Sequence, residues 1–129
     1  MGTATTTTKE KTILVVDDSD TVRKLLRTAL KSDGYNVIEC CNGKEGLDAL
    51  QTSDVHIIIS DVNMPEMDGI SFARTVKNDP DHRFTPIIML TTESEEEMKM
   101  QGMAAGVRAW LVKPFGVSQL KIAVEKLIR

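Results

Sequence analysis

Hydrophobic residues fall into two alternating patterns along the chain. Short runs of β-branched and aliphatic residues end abruptly in polar residues, as buried β-strands do. Longer segments follow these runs, and in them apolar residues recur every three or four positions, as on one face of an α-helix. The predicted strands are Thr12–Val16, Asn36–Cys40, Val55–Ser60, Pro86–Leu90 and Ala109–Val112. The pattern therefore predicts five strand–helix units in succession.

The predicted helices differ in how clearly they show this spacing. The second helix covers about Lys44–Gln51. The first, third and fifth helices have clear apolar positions, which are Val22, Leu25, Leu26, Ala29, Leu30, Ile70, Ala73, Val76, Val117, Leu120, Val124 and Leu127. The fourth helix opens with Ser94 and Glu97 in capping-box spacing. Its apolar face is ambiguous, because Met100, Met103 and Val107 compete with Met98. We expect part of this methionine cluster to lie in the core.

Strands that alternate with helices predict an α/β fold with a parallel sheet covered on both faces. Right-handed crossovers favour a doubly wound five-stranded sheet of order 2-1-3-4-5, the flavodoxin-like (βα)5 arrangement. Residues 12–129 would form this domain, and the Thr-rich residues 1–11 a disordered tail. A ligand site is expected at the carboxyl ends of the strands, near the switch between strands one and three.

Composition and charge narrow the possible functions. The chain has 129 residues, enough for one domain, and its net charge of −3 argues against broad electrostatic binding to nucleic acid or acidic membranes. No apolar run is long enough to span a bilayer, and the first residues lack the apolar stretch of a signal peptide, so we expect a cytoplasmic protein. Cys40 and Cys41 are interpreted as a core thiol and a rim thiol.

Polar residues whose side chains could take part in catalysis or binding follow four of the predicted strands. Asp17 and Asp18 follow strand one, Asp61 follows strand three, Thr91 follows strand four and Lys113 follows strand five. Each alone could be a loop residue or a helix cap. Together they should meet at one edge of the sheet, because parallel strands end at the same edge and lie about 4.8 Å apart.

Three clustered carboxylates repel one another and need compensation. Two unit charges about 4 Å apart repel by about 4 kcal/mol at an effective dielectric constant near 20. Lys113 can neutralise part of this charge, and a hard cation such as Mg²⁺ suits the oxygen ligands. The alternative is partly protonated carboxylates with raised pKa values. With Thr91 as a hydrogen-bond donor, the arrangement suits phosphoryl transfer, and Asp61 is the best placed acceptor.

At this point the sequence resembles a known family. The segments Ile13–Asp18 (ILVVDD), Ser60–Gly69 (SDVNMPEMDG), Leu90–Glu93 (LTTE) and Val112–Phe115 (VKPF) look like the response-regulator receiver family, and most like its CheY-like single-domain chemotaxis members. The resemblance covers about residues 11–129. It implies a phosphorylation-activated switch in a two-component system.

The resemblance implies a role for each site residue. Asp61 matches the phosphoacceptor, and Asp18, Asp61 and the backbone carbonyl of Asn63 match the direct Mg²⁺ ligands. Asp17 matches the acid that holds metal-bound water. Thr91 matches the switch hydroxyl. Lys113 matches the phosphate-binding lysine, and the peptide bond to the following proline is expected to be cis.

Two further features concern phosphate lifetime and output. Asn63 and Glu93 match positions that flank the route of attacking water and tune phosphate lifetime. Trp110 stands where the family usually has Tyr or Phe. It is either a switch residue at the docking face or a half-exposed aromatic residue that packs on helix four.

The resemblance also implies partners. These are a histidine kinase as phosphodonor and a flagellar-motor switch protein or another downstream protein, with a phosphatase as a further candidate. We expect a monomer that binds no nucleic acid and no membrane, and that catalyses only its own phosphorylation and dephosphorylation. Only 16 residues follow Lys113, so an output domain is not expected.

Three alternative functions compete with this interpretation. The first is a phosphorelay intermediate or phosphate-sink receiver. The second is a haloacid-dehalogenase-like Mg²⁺ phosphatase, which would need an acid where Asn63 stands. The third is a flavodoxin-like electron carrier, in which Asp17 and Asp18 would repel the flavin phosphate.

Overall fold

Five parallel strands form a single sheet in the order β2-β1-β3-β4-β5, as predicted. The computed structural model describes residues 11–92 and 96–128, without the side chains of residues 96–98. Residues 1–10 of the predicted tail therefore lie outside the described residues. The elements in chain order are β1 (Thr12–Val16), α1 (Asp20–Ser32), β2 (Asn36–Cys40), α2 (Gly43–Thr52), β3 (Ile57–Asp61), α3 (Gly69–Asn78), β4 (Ile87–Thr91), α4 (Glu96–Ala104), β5 (Ala109–Val112) and α5 (Val117–Leu127).

The core consists of two apolar layers, one on each face of the sheet. Successive strand residues point to opposite faces, so Leu14 and Val16 enter one layer while Ile13 and Val15 enter the other. The first layer packs against α2 and α3, with Phe72 fully buried, and the second packs against α1 and α5. No helix in the described ranges is long and apolar enough to cross a membrane.

Two strands, β3 and β4, differ from the prediction at both ends. β3 begins at Ile57 rather than Val55 and continues through Asp61, which pairs with Leu90. β4 likewise begins after Pro86 and includes Thr91. The backbone ladder does not depend on hydrophobicity, so it extends past the end of each apolar run. Asp61 and Thr91 are therefore the last residues of their strands instead of the first loop residues.

Two methionines of helix α4, Met100 and Met103, lie on its exposed side. They are 68% and 72% exposed, so neither is the part of the methionine cluster that was expected in the core. The buried positions on this side are Gly102 and Ala105, and a Cβ on Gly102 would lie 2.4 Å from the Trp110 ring. An indole that packs directly on the helix backbone leaves no room for long side chains there. Ser94 lies outside the described residues, as do the side chains of Glu97 and Met98.

Both cysteines are free thiols, in agreement with the sequence interpretation. Cys40, the last residue of β2, is buried, and Cys41 is half-buried. Burial and the nearby charge of Glu45 raise the pKa of Cys40 to about 11. A thiol of that pKa is protonated at neutral pH and is a poor nucleophile.

Candidate functional site

Three carboxylates meet at the carboxyl edge of the sheet. Asp17 and Asp18 come directly after β1, and Asp61 ends the neighbouring strand β3. One oxygen from each lies within 4.8 Å of the others. Asp17 and Asp61 are buried, whereas Asp18 is exposed. Two carboxylates of the cluster are therefore shielded from solvent, and the third is open to it.

Lys113 supplies the positive charge that faces this cluster. Its Nζ donates a hydrogen bond to Oδ2 of Asp17 at 3.0 Å and lies 3.4 Å from Oδ1 of Asp61. Its backbone N–H donates to the carbonyl of Thr91 at 2.6 Å, and the peptide bond to Pro114 is cis, as the resemblance implied. The lysine thus bridges both buried acids from the end of β5.

The charges of this site are only partly balanced. Burial and the nearby charge of Asp17 raise the pKa of Asp61, although Lys113 and the backbone N–H of Asn63 oppose this shift. Burial lowers the pKa of Lys113, but the hydrogen bond and charge of Asp17, helped by Asp61, outweigh it, so the pKa is raised overall. One ammonium therefore serves two buried carboxylates, and a further cation would relieve the excess negative charge.

Arg23 holds the loop that carries Asp17 and Asp18. Its side chain is 14% exposed, and Nη1 donates to the backbone carbonyl of Asp17 at 2.5 Å. The same guanidinium contacts Asp20 and lies 3.6 Å from Glu39 on β2. The N–H of Ser19 also donates to Oδ1 of Asp17 at 2.9 Å. Sequence reasoning missed Arg23, because its only signal is a cation in the first turn of α1.

The loop after Asp61 is constrained by Gly69 at the start of α3. A Cβ at this position would lie 2.3 Å from the carbonyl oxygen of Asp61 and 2.7 Å from Cα of Val62. Asn63 is exposed in this loop, and the side chain of Asp68 caps α3 by accepting from Ser71 N–H at 2.8 Å. The close approach of α3 therefore fixes the backbone from which Asp61 projects.

The donor set fits Mg²⁺. All three grouped ligand atoms are carboxylate oxygens, which hard divalent cations prefer. At Mg–O distances of about 2.1 Å, cis and trans oxygens of an octahedron lie about 3 and 4.2 Å apart. The grouped oxygens all lie within 4.8 Å of one another, so they are close enough to surround a common ion. Exposed Asp18 leaves a path for an ion from solvent.

The remaining predicted residues lie nearby or outside the described chain. Thr91 is buried at the end of β4, next to β5. Trp110 is half-buried on β5, and its indole Nε1–H has no hydrogen-bond partner among the described residues. Glu93 lies outside the described residues.

Comparisons with known proteins identify the class. The family description that matches residues 13–125 is "Response regulator receiver domain", so the chain belongs to the response-regulator receiver family. The solved structure of the chemotaxis protein CheY4 from Vibrio cholerae is 39% identical, covers 92% of this chain and 99% of its own, and superposes with a TM-score of 0.89. These matches confirm the flavodoxin-like α/β fold and the receiver class.

Other relatives carry the same domain in different settings. The receiver domain of sensor histidine kinase PA1611 from Pseudomonas aeruginosa, solved with magnesium in its active-site cleft, is 25% identical, covers 92% of this chain and 97% of its own, and has a TM-score of 0.84. The transcriptional regulatory protein SrrA from Staphylococcus aureus is 36% identical over 117 residues, which are 91% of this chain but 47% of SrrA. The chain spans about half the length of the curated relatives it matches.

Family membership has two general consequences. Receiver domains are phosphorylated by histidine kinases and bind Mg²⁺ at an acidic pocket. The phosphatase and electron-carrier alternatives, which rest on other families, are accordingly set aside.

Proposed function

We propose that the chain is a phosphorylation-activated switch that accepts a phosphoryl group on Asp61. The observation that carries this proposal is the convergence of Asp17, Asp18 and Asp61 at one sheet edge, with Lys113 bridging the two buried acids. Asp61 is the central member, because β3 lies between β1 and β4 in the sheet. The protein acts on itself, not on a separate substrate, and in that sense it is not an enzyme.

The metal site in this proposal uses Asp18, Asp61 and the backbone carbonyl of Asn63 as direct ligands, with Asp17 holding metal-bound water. Mg²⁺ supplies positive charge that offsets the phosphoryl oxygens and the acidic cluster. Asp17 is suited to hold a metal-bound water instead of the metal itself, since its Oδ1 already accepts from Ser19 and its Oδ2 from Lys113. The exposed carboxylate of Asp18 remains open to a ligand from solvent.

The transfer step forms one bond and breaks one. A carboxylate oxygen of Asp61 attacks the phosphorus of a phosphohistidine on the kinase, and a P–O bond forms as the P–N bond breaks. The histidine nitrogen keeps the electron pair and takes up a proton. Lys113 then pairs with a phosphoryl oxygen, and the hydroxyl of Thr91 donates to another. Attack by water later restores Asp61 and releases inorganic phosphate.

Mass spectrometry after incubation with acetyl phosphate and Mg²⁺ tests this proposal. We expect the mass of one phosphoryl group to be added to the wild-type chain and to be absent from Asp61→Asn. Asp54→Asn is the matched control, because it removes an exposed carboxylate near the opposite end of β3. A mass gain that persists in Asp61→Asn, or its absence from the wild-type chain, would refute the acceptor role.

Phosphate lifetime is proposed to depend on Asn63 and Glu93. Asn63 is exposed two residues after the acceptor, where its side chain can flank the path of attacking water. Asn63→Arg should slow the decay of the phosphorylated form, because a longer side chain obstructs that path. The decay rate is measured as the loss of the added mass over time. An unchanged rate in Asn63→Arg would contradict this role.

The output is proposed to be docking of the phosphorylated form onto another protein, with flagellar-motor control in chemotaxis as the favoured pathway. Likeness to CheY4 over 99% of that chain supports this choice. The docking face would include Trp110, exposed Met100 and exposed Met103. Thr91 pairs with Val112 on β5, two residues from Trp110. In the proposed switch, Thr91 moves toward the phosphoryl group, and this movement makes room for Trp110.

A binding assay separates this output from the runner-up, a phosphorelay intermediate or phosphate sink. A labelled peptide from a flagellar-motor switch protein should bind the phosphorylated chain more tightly than the unphosphorylated chain. Reversible transfer to a histidine phosphotransfer protein, without phosphate-dependent binding of the motor peptide, would instead identify a relay. The likeness to receiver domains of histidine kinases supports keeping this second candidate.

A further inference from the structure

A second charged site lies at the opposite end of the sheet from Asp61. A cavity of about 470 Å³ is lined by Lys77, Arg83, Phe84, Gly106 and Arg108. Lys77 belongs to the last turn of α3, and Arg108 immediately precedes β5. A five-residue strand is about 16 Å long, so this cavity is well separated from the acidic cluster.

Lys77 is held in a defined position at this cavity. Its Nζ donates to the backbone carbonyls of Arg83 at 3.0 Å and Thr85 at 2.5 Å. Its stem crosses Gly106, whose φ of +98° suits glycine and whose Cβ, if present, would lie 2.8 Å from Cγ of Lys77. Two hydrogen bonds leave one ammonium N–H for another acceptor.

The cationic residues that line the cavity form no ion pair within the described part of the chain. They are Lys77, Arg83 and Arg108. Burial, together with the charge of Arg108, lowers the pKa of Lys77. Three cations thus share one cavity on a chain whose net charge is −3.

An exposed aromatic ring completes the cavity. Phe84 is 85% exposed, and the guanidinium carbon of Arg83 lies 6.0 Å from the centre of its ring. At this exposure the ring is accessible to a ligand in the cavity. The ring offers a face on which a planar group can stack, beside guanidinium groups that bind anions.

We propose that this cavity binds a small phosphate-bearing ligand with a planar ring, of the nucleotide class. The phosphate oxygens would pair with Arg83 and Arg108 and with the remaining N–H of Lys77, while the ring stacks on Phe84. A phosphate has three terminal oxygens and carries more than one negative charge near neutral pH, so it can accept from several of these donors at once. The cavity volume lies in the usual range for small-molecule sites.

An NMR titration in Mg²⁺-free buffer with a chelator tests the proposal. The probe is adenosine monophosphate, and the comparison ligands are ribose 5-phosphate, adenosine and a pentaglutamate peptide. Adenosine monophosphate should shift the amides near Lys77, Phe84 and Gly106 saturably, while those near Asp61 stay unchanged. Ribose 5-phosphate should bind more weakly, and adenosine should produce no saturable shift.

Two charge-matched variants decide whether the cavity is responsible. Arg108→Gln should weaken binding about tenfold, because it removes one of three cations. Arg74→Gln, which neutralises an exposed arginine on α3 outside the cavity lining, should leave binding unchanged. Equal effects of both variants would overturn the proposal. So would tighter binding of pentaglutamate, equal binding of ribose 5-phosphate, or shifts confined to the surroundings of Asp61.

Discussion

Each end of the parallel sheet gathers several side chains of like charge, acidic at one end and basic at the other, but their surroundings differ. At the carboxyl end, Asp17 and Asp61 are buried, and one ammonium bridges them. At the amino end, Arg83 and Arg108 are exposed, so water hydrates their charged groups. Burial makes electrostatic interactions stronger, because water no longer screens them. Substitutions that change charge should therefore alter stability far more at the carboxyl end than at the amino end.

Removal of the bridging cation should have the largest effect. Lys113→Met leaves two buried carboxylates without a positive partner, so we expect a loss of about 3 kcal/mol in the free energy of unfolding at neutral pH without Mg²⁺. Urea denaturation measures this loss. Lys121→Met is the control, because it removes a more exposed lysine 3.2 Å from Asp33, where a surface pair contributes less than about 1 kcal/mol. Equal losses would contradict the comparison.

The glycine behind the acceptor gives the next largest effect. Gly69→Ala places a Cβ against the backbone at Asp61 and Val62, which cannot rotate away, so we expect a loss of about 2 kcal/mol. Gly116→Ala is the control, since the nearest atom to its Cβ, on Gln119, lies 3.8 Å away. Its cost should stay below about 1 kcal/mol. Thermal unfolding of both variants measures the difference, and similar melting temperatures would contradict this account.

Neutralising the acceptor should stabilise the fold. The pKa of Asp61 is raised by burial and by Asp17, so its ionised form is unfavourable in the folded state. Asp61→Asn should therefore add about 1 kcal/mol at neutral pH without Mg²⁺. The advantage should shrink as the pH falls through the folded-state pKa of Asp61, because the wild-type carboxyl then becomes neutral. Urea denaturation at several pH values checks this, and destabilisation at neutral pH would contradict it.

The smallest effect is expected at the amino end. Arg108→Gln should change the free energy of unfolding by no more than about 0.5 kcal/mol, because its exposed charge is screened. It should also raise the pKa of Lys77 toward its usual value, since Arg108 contributes to the depression. An NMR titration of the Lys77 side chain measures this shift. A loss of stability comparable to that of Lys113→Met would remove the distinction between the two ends.

Much of the fold and the acidic cluster could be predicted, because parallel strands impose a simple geometric rule. Buried strands end at one edge, so Asp17, Asp61 and Lys113 had to be near one another once the strand order was known. Their functional roles came from the family resemblance and remain predictions. Asn63 is described only as an exposed loop residue, and Glu93 lies outside the described residues.

Features that depend on side-chain packing could not be predicted. The spacing left the buried face of α4 ambiguous, and the packing of Trp110 on Gly102, with Met100 and Met103 exposed, could not be inferred from it. The contact of Arg23 with the carbonyl of Asp17 depends on how a flexible side chain folds back over a loop. The cationic cavity could not be predicted either, because its lining residues come from segments that lie far apart in the sequence.

Trp110 gives the molecule an internal optical reporter. It is the only tryptophan in the chain, so its fluorescence comes from one known place. In the described chain its ring packs against Gly102 and its N–H has no partner. Any rearrangement that turns the ring or hydrates its N–H will change the wavelength and intensity of emission. Communication between Asp61 and α4 can therefore be followed in real time, on unlabelled protein, as Mg²⁺ and a phosphodonor are added.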